Sequence, residues 1–94
     1  MVFRSSLESE VLPLIEQEQL PFTRLDGVPG RGTTGNVPDS VSGGVNTVLL
    51  LAVPDERLSR FRERAHQLQD GLNAHAKAVS IPFHIFVLPC IQWF

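Results

Sequence analysis

An unbroken apolar run leads directly into the strongest helical pattern of the chain, so a buried strand and an amphipathic helix have to pack together. The predicted strand is Asn46–Val53, in which every residue from Val48 onwards is apolar, as is typical of a central strand buried on both faces. Pro54 takes the favoured first position of a helix, with Asp55 and Glu56 in the first turn. The apolar positions then recur every three or four residues, at Leu58, Phe61, Ala65, Leu68 and Leu72.

A second amphipathic pattern predicts an earlier helix over about Ser6–Gln19. The string Ser5-Ser6-Leu7-Glu8 matches a capping box, in which Ser5 caps the helix and the Glu8 carboxylate bonds back to the cap. The apolar stripe of this helix is Leu7, Val11, Leu14 and Ile15. Pro13 removes one backbone donor and is predicted to kink or divide the helix.

The remaining segments are predicted as short strands and one long loop. The strands are a stub at Met1–Arg4, a second at Pro21–Asp26 and a last at Phe83–Leu88, which runs into the tail Pro89–Phe94. Residues 27–44 hold six of the seven glycines and no periodic apolar pattern, so they are predicted as a loop. A loop of this length in a small domain is usually functional or disordered.

This order of elements predicts an α+β fold, the ferredoxin-like βαββαβ sandwich. In that fold a four-stranded antiparallel sheet carries two helices on one face, with the first and third strands in the centre. A chain of 94 residues has room for one core, so residues 1–94 are predicted to form a single domain.

Composition excludes several classes of protein. Eight basic residues against ten acidic ones argue against nucleic-acid binding, and the third strand has no aromatic side chain on which bases could stack. The single cysteine, Cys90, excludes an internal disulfide. No apolar run reaches the length of a membrane span, and Met1–Ser6 has no signal-peptide character, so a cytoplasmic protein is expected.

Four arginines of the long helix are predicted to form a solvated face, with Glu56 and Glu63 as available ion-pair partners. They are Arg57, Arg60, Arg62 and Arg64. The three histidines and Cys90 lack the spacing of zinc ligands, so they are interpreted as surface or structural residues.

A candidate anion site lies in the glycine-rich loop. Gly30-Arg31-Gly32-Thr33-Thr34-Gly35-Asn36 could turn backbone N–H groups towards a ligand, and Arg31 adds a bidentate donor for carboxylate or phosphate. It is not a nucleoside-triphosphate P-loop, because no Gly-Lys-Ser/Thr follows and no helix begins after it.

Four segments together resemble a known family. A glycine turn, Gly30-Arg31-Gly32, stands at the base of a long loop, and the junction Val53–Leu58 contains Val-Pro-Asp-Glu. The last strand reads Ile85-Phe86-Val87-Leu88-Pro89, and Leu7–Leu12 followed by Pro21–Leu25 is similar to a divergent branch. The chain therefore resembles the PII-like family of small trimeric signalling proteins, within the nitrogen regulatory protein PII superfamily.

The resemblance implies a non-enzymatic homotrimer that binds a small anionic effector in clefts between subunits. The implied binding residues are Gly30, Arg31, Gly32, Thr33 and Lys77. Family members bind adenine nucleotides partly through a turn rich in glycine and lysine, whereas here residues 74–82 contain no glycine and one lysine. The identity of the effector is therefore open, with an adenine nucleotide as one candidate, and the long loop (the T-loop of the family) is expected to contact a protein target.

Two other classes of function are kept as alternatives. One is a trimeric metal-handling protein similar to the CutA divalent-cation-tolerance proteins, with His84, Cys90 and Trp93 as contributors. The other is an acylphosphatase-type enzyme, whose phosphate loop resembles Gly27–Thr33. That loop lies between the first strand and first helix of such enzymes, where a helix N-terminus can help to hold the anion, whereas here the similar string follows the second strand.

Apolar surface provides an independent reason to expect an oligomer: a dimer could also hide it, and the PII-like resemblance favours three subunits. The third strand is apolar on both faces, although helices can cover only one face of the sheet, and the tail adds Ile91, Trp93 and Phe94. Patches of more than a few hundred Å² are rarely left exposed on monomers, and burying them contributes about 25 cal/mol per Å². The sequence therefore predicts no stable monomer.

Overall fold

The computed structural model describes residues 1–30, 45–75 and 83–94. Strand β1 is Val2–Arg4, and a single 3₁₀ turn, Ser5–Leu7, connects it to helix α1, Glu8–Gln17. The later elements are strands β2 (Phe22–Pro29) and β3 (Val45–Leu51), helix α2 (Asp55–His75) and strand β4 (Phe83–His84).

The predicted α+β class is confirmed: four antiparallel strands form one sheet in the order β2-β3-β1-β4, accompanied by two helices. Residues paired across strands share a face of the sheet. Phe3 pairs with Thr47 and Phe83, which are all buried and lie on the core side. The helices add their own buried side chains to the same cluster, namely Val11, Leu14, Ile15, Phe61 and Ala65. This arrangement is compatible with a ferredoxin-like fold.

The predicted start of the long loop at residue 27 is wrong, because β2 continues to Pro29, which pairs with Val45. The register shifts between Leu25 and Val28, so two residues of β2 lie opposite Thr47 alone. One of the two is Gly27, with φ of +64°, and a left-handed glycine is the residue that such a bulge favours. Gly27 therefore bends a strand instead of opening a loop. The rest of the predicted loop, 31–44, lies outside the described residues.

The predicted capping box is also wrong. Leu7 occupies the N-cap of α1 and no side chain caps the helix. The Ser5 hydroxyl instead bonds to the Thr47 hydroxyl at 2.9 Å, and Thr47 is completely buried. Glu8 pairs with Arg24 of β2 at 3.4 Å. Leaving the buried Thr47 hydroxyl without a hydrogen bond would cost more free energy than leaving the helix uncapped, because water can reach the N–H groups at the start of the helix.

Helix α1 is continuous through Pro13, so the predicted division does not occur. The carbonyl that loses its partner is that of Ser9, and both Ser9 and Pro13 are exposed, so water can serve that carbonyl. The helix ends in a Schellman motif, in which the amide of Leu20 donates to the Ile15 carbonyl at 3.2 Å. Gln19 takes the left-handed position with φ of 53°, where glycine is usual.

The third and fourth strands differ from their predicted forms. Thr47 and Leu49 are buried in β3, but Leu50 on the opposite face is 57% exposed, so the strand is not buried on both faces in the single chain. Strand β4 ends at His84 instead of Leu88. His84 pairs with Val2, the first residue of the antiparallel strand β1, so β1 offers no partner to the residues after His84. Among the described residues, no helix is long and apolar enough to cross a membrane.

Candidate functional site

The predicted effector site falls mostly outside the described residues, which include Gly30 but not Arg31, Gly32, Thr33 or Lys77. Gly30 directly follows β2 and approaches Asn46 of β3 so closely that an added Cβ would lie 2.7 Å from the Asn46 side-chain nitrogen. A larger residue at this position would require the Asn46 side chain to move.

The described residues instead bring together a carboxylate and three arginines that the sequence had not connected. Glu18, at the end of α1, is only 4% exposed. Its carboxylate lies within 3.4–3.5 Å of nitrogens of Arg57, Arg60 and Arg64 on α2. We call these four residues the Glu18 cluster.

The arginines hold both the side chain and the main chain of the α1 terminus. The Arg57 guanidinium donates to the Glu18 main-chain carbonyl and lies 3.4 Å from Oε2 of the same residue. Arg64 also donates to the Gln17 side-chain oxygen. Carbonyls at a helix C-terminus carry partial negative charge and lack helical partners, so a guanidinium there is stabilising.

One carboxylate oxygen of the cluster, Glu18 Oε1, lies close to two guanidinium groups but accepts no hydrogen bond. Glu18 Oε1 is buried, and its two nearest guanidinium nitrogens, from Arg60 and Arg64, lie at 3.4–3.5 Å, outside good donor geometry. A buried carboxylate is stable only when opposite charges surround it. The three arginines provide that charge, and they leave the cluster with a net positive charge of two.

The predicted solvated arginine face is thus wrong for Arg57 and Arg64, which are half-buried, and right for Arg60, whose side chain is 69% exposed although it pairs with Glu18. Arg57, Arg60 and Arg64 are spaced by three and four residues, which places them on one face of α2, towards Glu18 and not towards Glu56. Arg62 is exposed, as predicted. The spacing of these arginines indicates that they share one helix face. Glu18 lies 39 residues before Arg57, however, so no local pattern identifies it as their partner.

A groove of about 570 Å³ lies between α2 and the segment that follows β4. Its apolar lining includes Phe61 and Ala65 of the helix and Phe83, Ile85 and Val87 of the facing segment. The polar residues at the groove are Ser59, Arg62, His66, Gln69 and His84, none of them acidic. Sequence periodicity could not predict this groove, because it depends on where the chain leaves the sheet.

The sheet face opposite the helices carries polar and apolar side chains. Cross-strand pairing places the polar Arg4, Thr23, Asn46 and His84 there, and the apolar residues of the face are Val2, Leu25, Val28, Val48 and Leu50. Leu25 is 48% exposed and Leu50 is 57% exposed, and the other three are half-buried. We call these five residues the open face.

For the metal-handling alternative, the described part of the chain contains no group of three His, Cys, Asp or Glu residues that could hold an ion. His84 belongs to β4 and stacks on Phe86 with ring centroids 6.4 Å apart. Cys90 and Trp93 are exposed beyond the strand.

Comparison of the chain with protein-family models, curated proteins and solved structures gave no match. Functional inference therefore depends on the residues of the chain itself.

Proposed function

We propose that the chain is a ferredoxin-like, PII-like regulatory protein, a non-enzymatic cytoplasmic homotrimer. In this proposal it binds a small anionic effector at clefts between subunits and signals to a protein target through the 31–44 segment. The effector residues of the proposal are Gly30, Arg31, Gly32, Thr33 and Lys77.

The observation that carries the proposal is the open face. In a monomeric protein, the side of an antiparallel sheet that no helix covers normally presents polar side chains to water. Here the central strand β3 presents Val48 and Leu50 on that side, beside Leu25 of β2. Apolar side chains on the uncovered face of a central strand are explained if other subunits cover them.

The β2–β3 ladder gives further support. Because Pro29 pairs with Val45, the two strands that flank residues 31–44 are held side by side in one ladder. Binding residues are commonly carried on loops that a rigid scaffold positions.

Calorimetric titration with ATP, ADP, AMP, cyclic nucleotides and bicarbonate tests the effector. We expect one of them to bind the wild-type chain, and the Arg31→Ala variant to lose that binding. Arg24→Ala is the matched control, because Arg24 is an exposed arginine of β2 outside the proposed site, the Glu18 cluster and the groove. Binding by none of these compounds, or equal binding by both variants, would contradict the effector part of the proposal.

A further inference from the structure

The segment that follows β4 is the least covered part of the described chain. Beyond Pro89 the side chains of Ile91, Trp93 and Phe94 are each at least 83% exposed. Leu88 is 81% exposed, and residues 85–94 belong to no helix or strand. The tail, residues 89–94, carries no charged side chain.

No residue of the described ranges 1–30, 45–75 and 83–94 fills the groove beside this segment. Its lining runs from residue 58 to residue 87 and includes no tail residue. Residues 83–87 themselves form one wall, so the tail of the same chain would have to reverse its direction within a few residues to enter. A tail that arrives from a second copy needs no such reversal.

We propose that the tail of each copy occupies the groove of a neighbouring copy. This inference rests on the proposed homotrimer, in which three such contacts close a ring, each tail lying in the groove of the next subunit. The apolar lining offers contacts for Ile91, Trp93 and Phe94, and the tail has no charged side chain that would need an ionic partner there.

The tail contact contributes a substantial part of an interface. Two aromatic side chains bury about 150–250 Å² each, and the groove loses a similar area when it is filled. One inserted tail thus removes on the order of 600–1,000 Å² of total surface. Each pair of neighbouring subunits in the ring shares one such contact, so it adds to the burial of the open face and does not by itself reach the roughly 1,200–2,000 Å² of a standard interface.

The chain provides its own reporter, because Trp93 is the only tryptophan and there is no tyrosine. An acceptor chain, Ser59→Cys with Cys90→Ser and Trp93→Phe, is labelled at position 59 with a nitroxide quencher and mixed in excess with wild-type chain. Only the wild type emits, so any quenching reports a tail beside another copy's groove. The matched control moves the label to Ser9→Cys, an exposed serine on α1, which contributes nothing to the groove.

We expect Trp93 emission to shift to shorter wavelength as wild-type concentration rises, and the label at 59 to quench it several-fold more than the label at 9. Equal quenching at both positions overturns the inference. A trimeric mass with Trp93 still water-exposed overturns it while leaving the proposed function intact. A monomeric mass with Trp93 buried at every concentration means that each tail fills its own groove, which overturns both.

Discussion

Arg57 near the start of α2 contacts Glu18 at the end of α1 twice, through the main-chain carbonyl and through the carboxylate. Arg60 and Arg64, one and two turns further along α2, approach the same carboxylate. The contact joins the negative end of one helix dipole to side chains of the other helix. It fixes the two helices relative to each other on their shared face of the sheet.

Removing the Glu18 charge should destabilise the fold. Glu18→Gln keeps the shape of the side chain but leaves three guanidinium groups without their anion, so we expect a loss of about 1–3 kcal/mol in the free energy of unfolding. Urea denaturation at fixed protein concentration measures this loss. Glu16→Gln is the control, because Glu16 is exposed on the same helix and should stay within about 0.5 kcal/mol of wild type. Equal stability of the two variants would contradict a structural role for the cluster.

The two left-handed residues predict opposite effects of substitution. Gln19 has φ of 53°, so Gln19→Gly removes the steric cost of a side chain in the left-handed region. The substitution should stabilise the chain by about 0.5 kcal/mol, because the greater freedom of glycine in the unfolded state offsets part of this gain. Gly27→Ala should cost about 1–2 kcal/mol through the backbone alone, because an added Cβ would meet nothing within 4 Å. Thermal unfolding of both variants checks the signs, and a stabilising Gly27→Ala would show that the bulge is not formed.

The buried hydroxyl pair should behave as a unit. Ser5→Ala leaves the Thr47 hydroxyl buried without its partner, so we expect it to cost about 1–3 kcal/mol. Adding Thr47→Val removes the unsatisfied group as well and should restore part of that loss. A double-mutant cycle in urea measures the coupling. Strictly additive losses would mean that Ser5 acts through something other than Thr47.

Features that depend on local periodicity, such as the buried face of a helix, can be predicted from the sequence. Contacts between residues far apart in the chain cannot. The stripe containing Phe61 and Ala65 was placed correctly, because a helical repeat reports its own buried face. Ser5 was assigned to a cap because its true partner, Thr47, is 42 residues away. Of the proposed effector residues, only Gly30 lies in the described chain, so the rest of that site stays a prediction.

The open face makes a prediction that separates a trimer from a monomer. Leu50→Asp places a charge on a side chain that is already 57% exposed in the single chain. In a monomer such a change should alter stability by no more than about 0.5 kcal/mol, whereas in the proposed trimer it buries an unpaired charge. We therefore expect Leu50→Asp to dissociate the assembly in size-exclusion chromatography. Gln67→Asp, at an exposed position of α2, is the control and should leave the elution volume unchanged.

Light scattering of the wild-type chain at micromolar concentration tests the central claim most directly. The account predicts a mass three times the 10.4 kDa of the single chain. It also predicts that this mass persists on dilution until the subunits dissociate and unfold together, because nothing in the described part of the chain covers the open face. A folded species with the mass of one chain, stable at every concentration and with the open face in water, would contradict it.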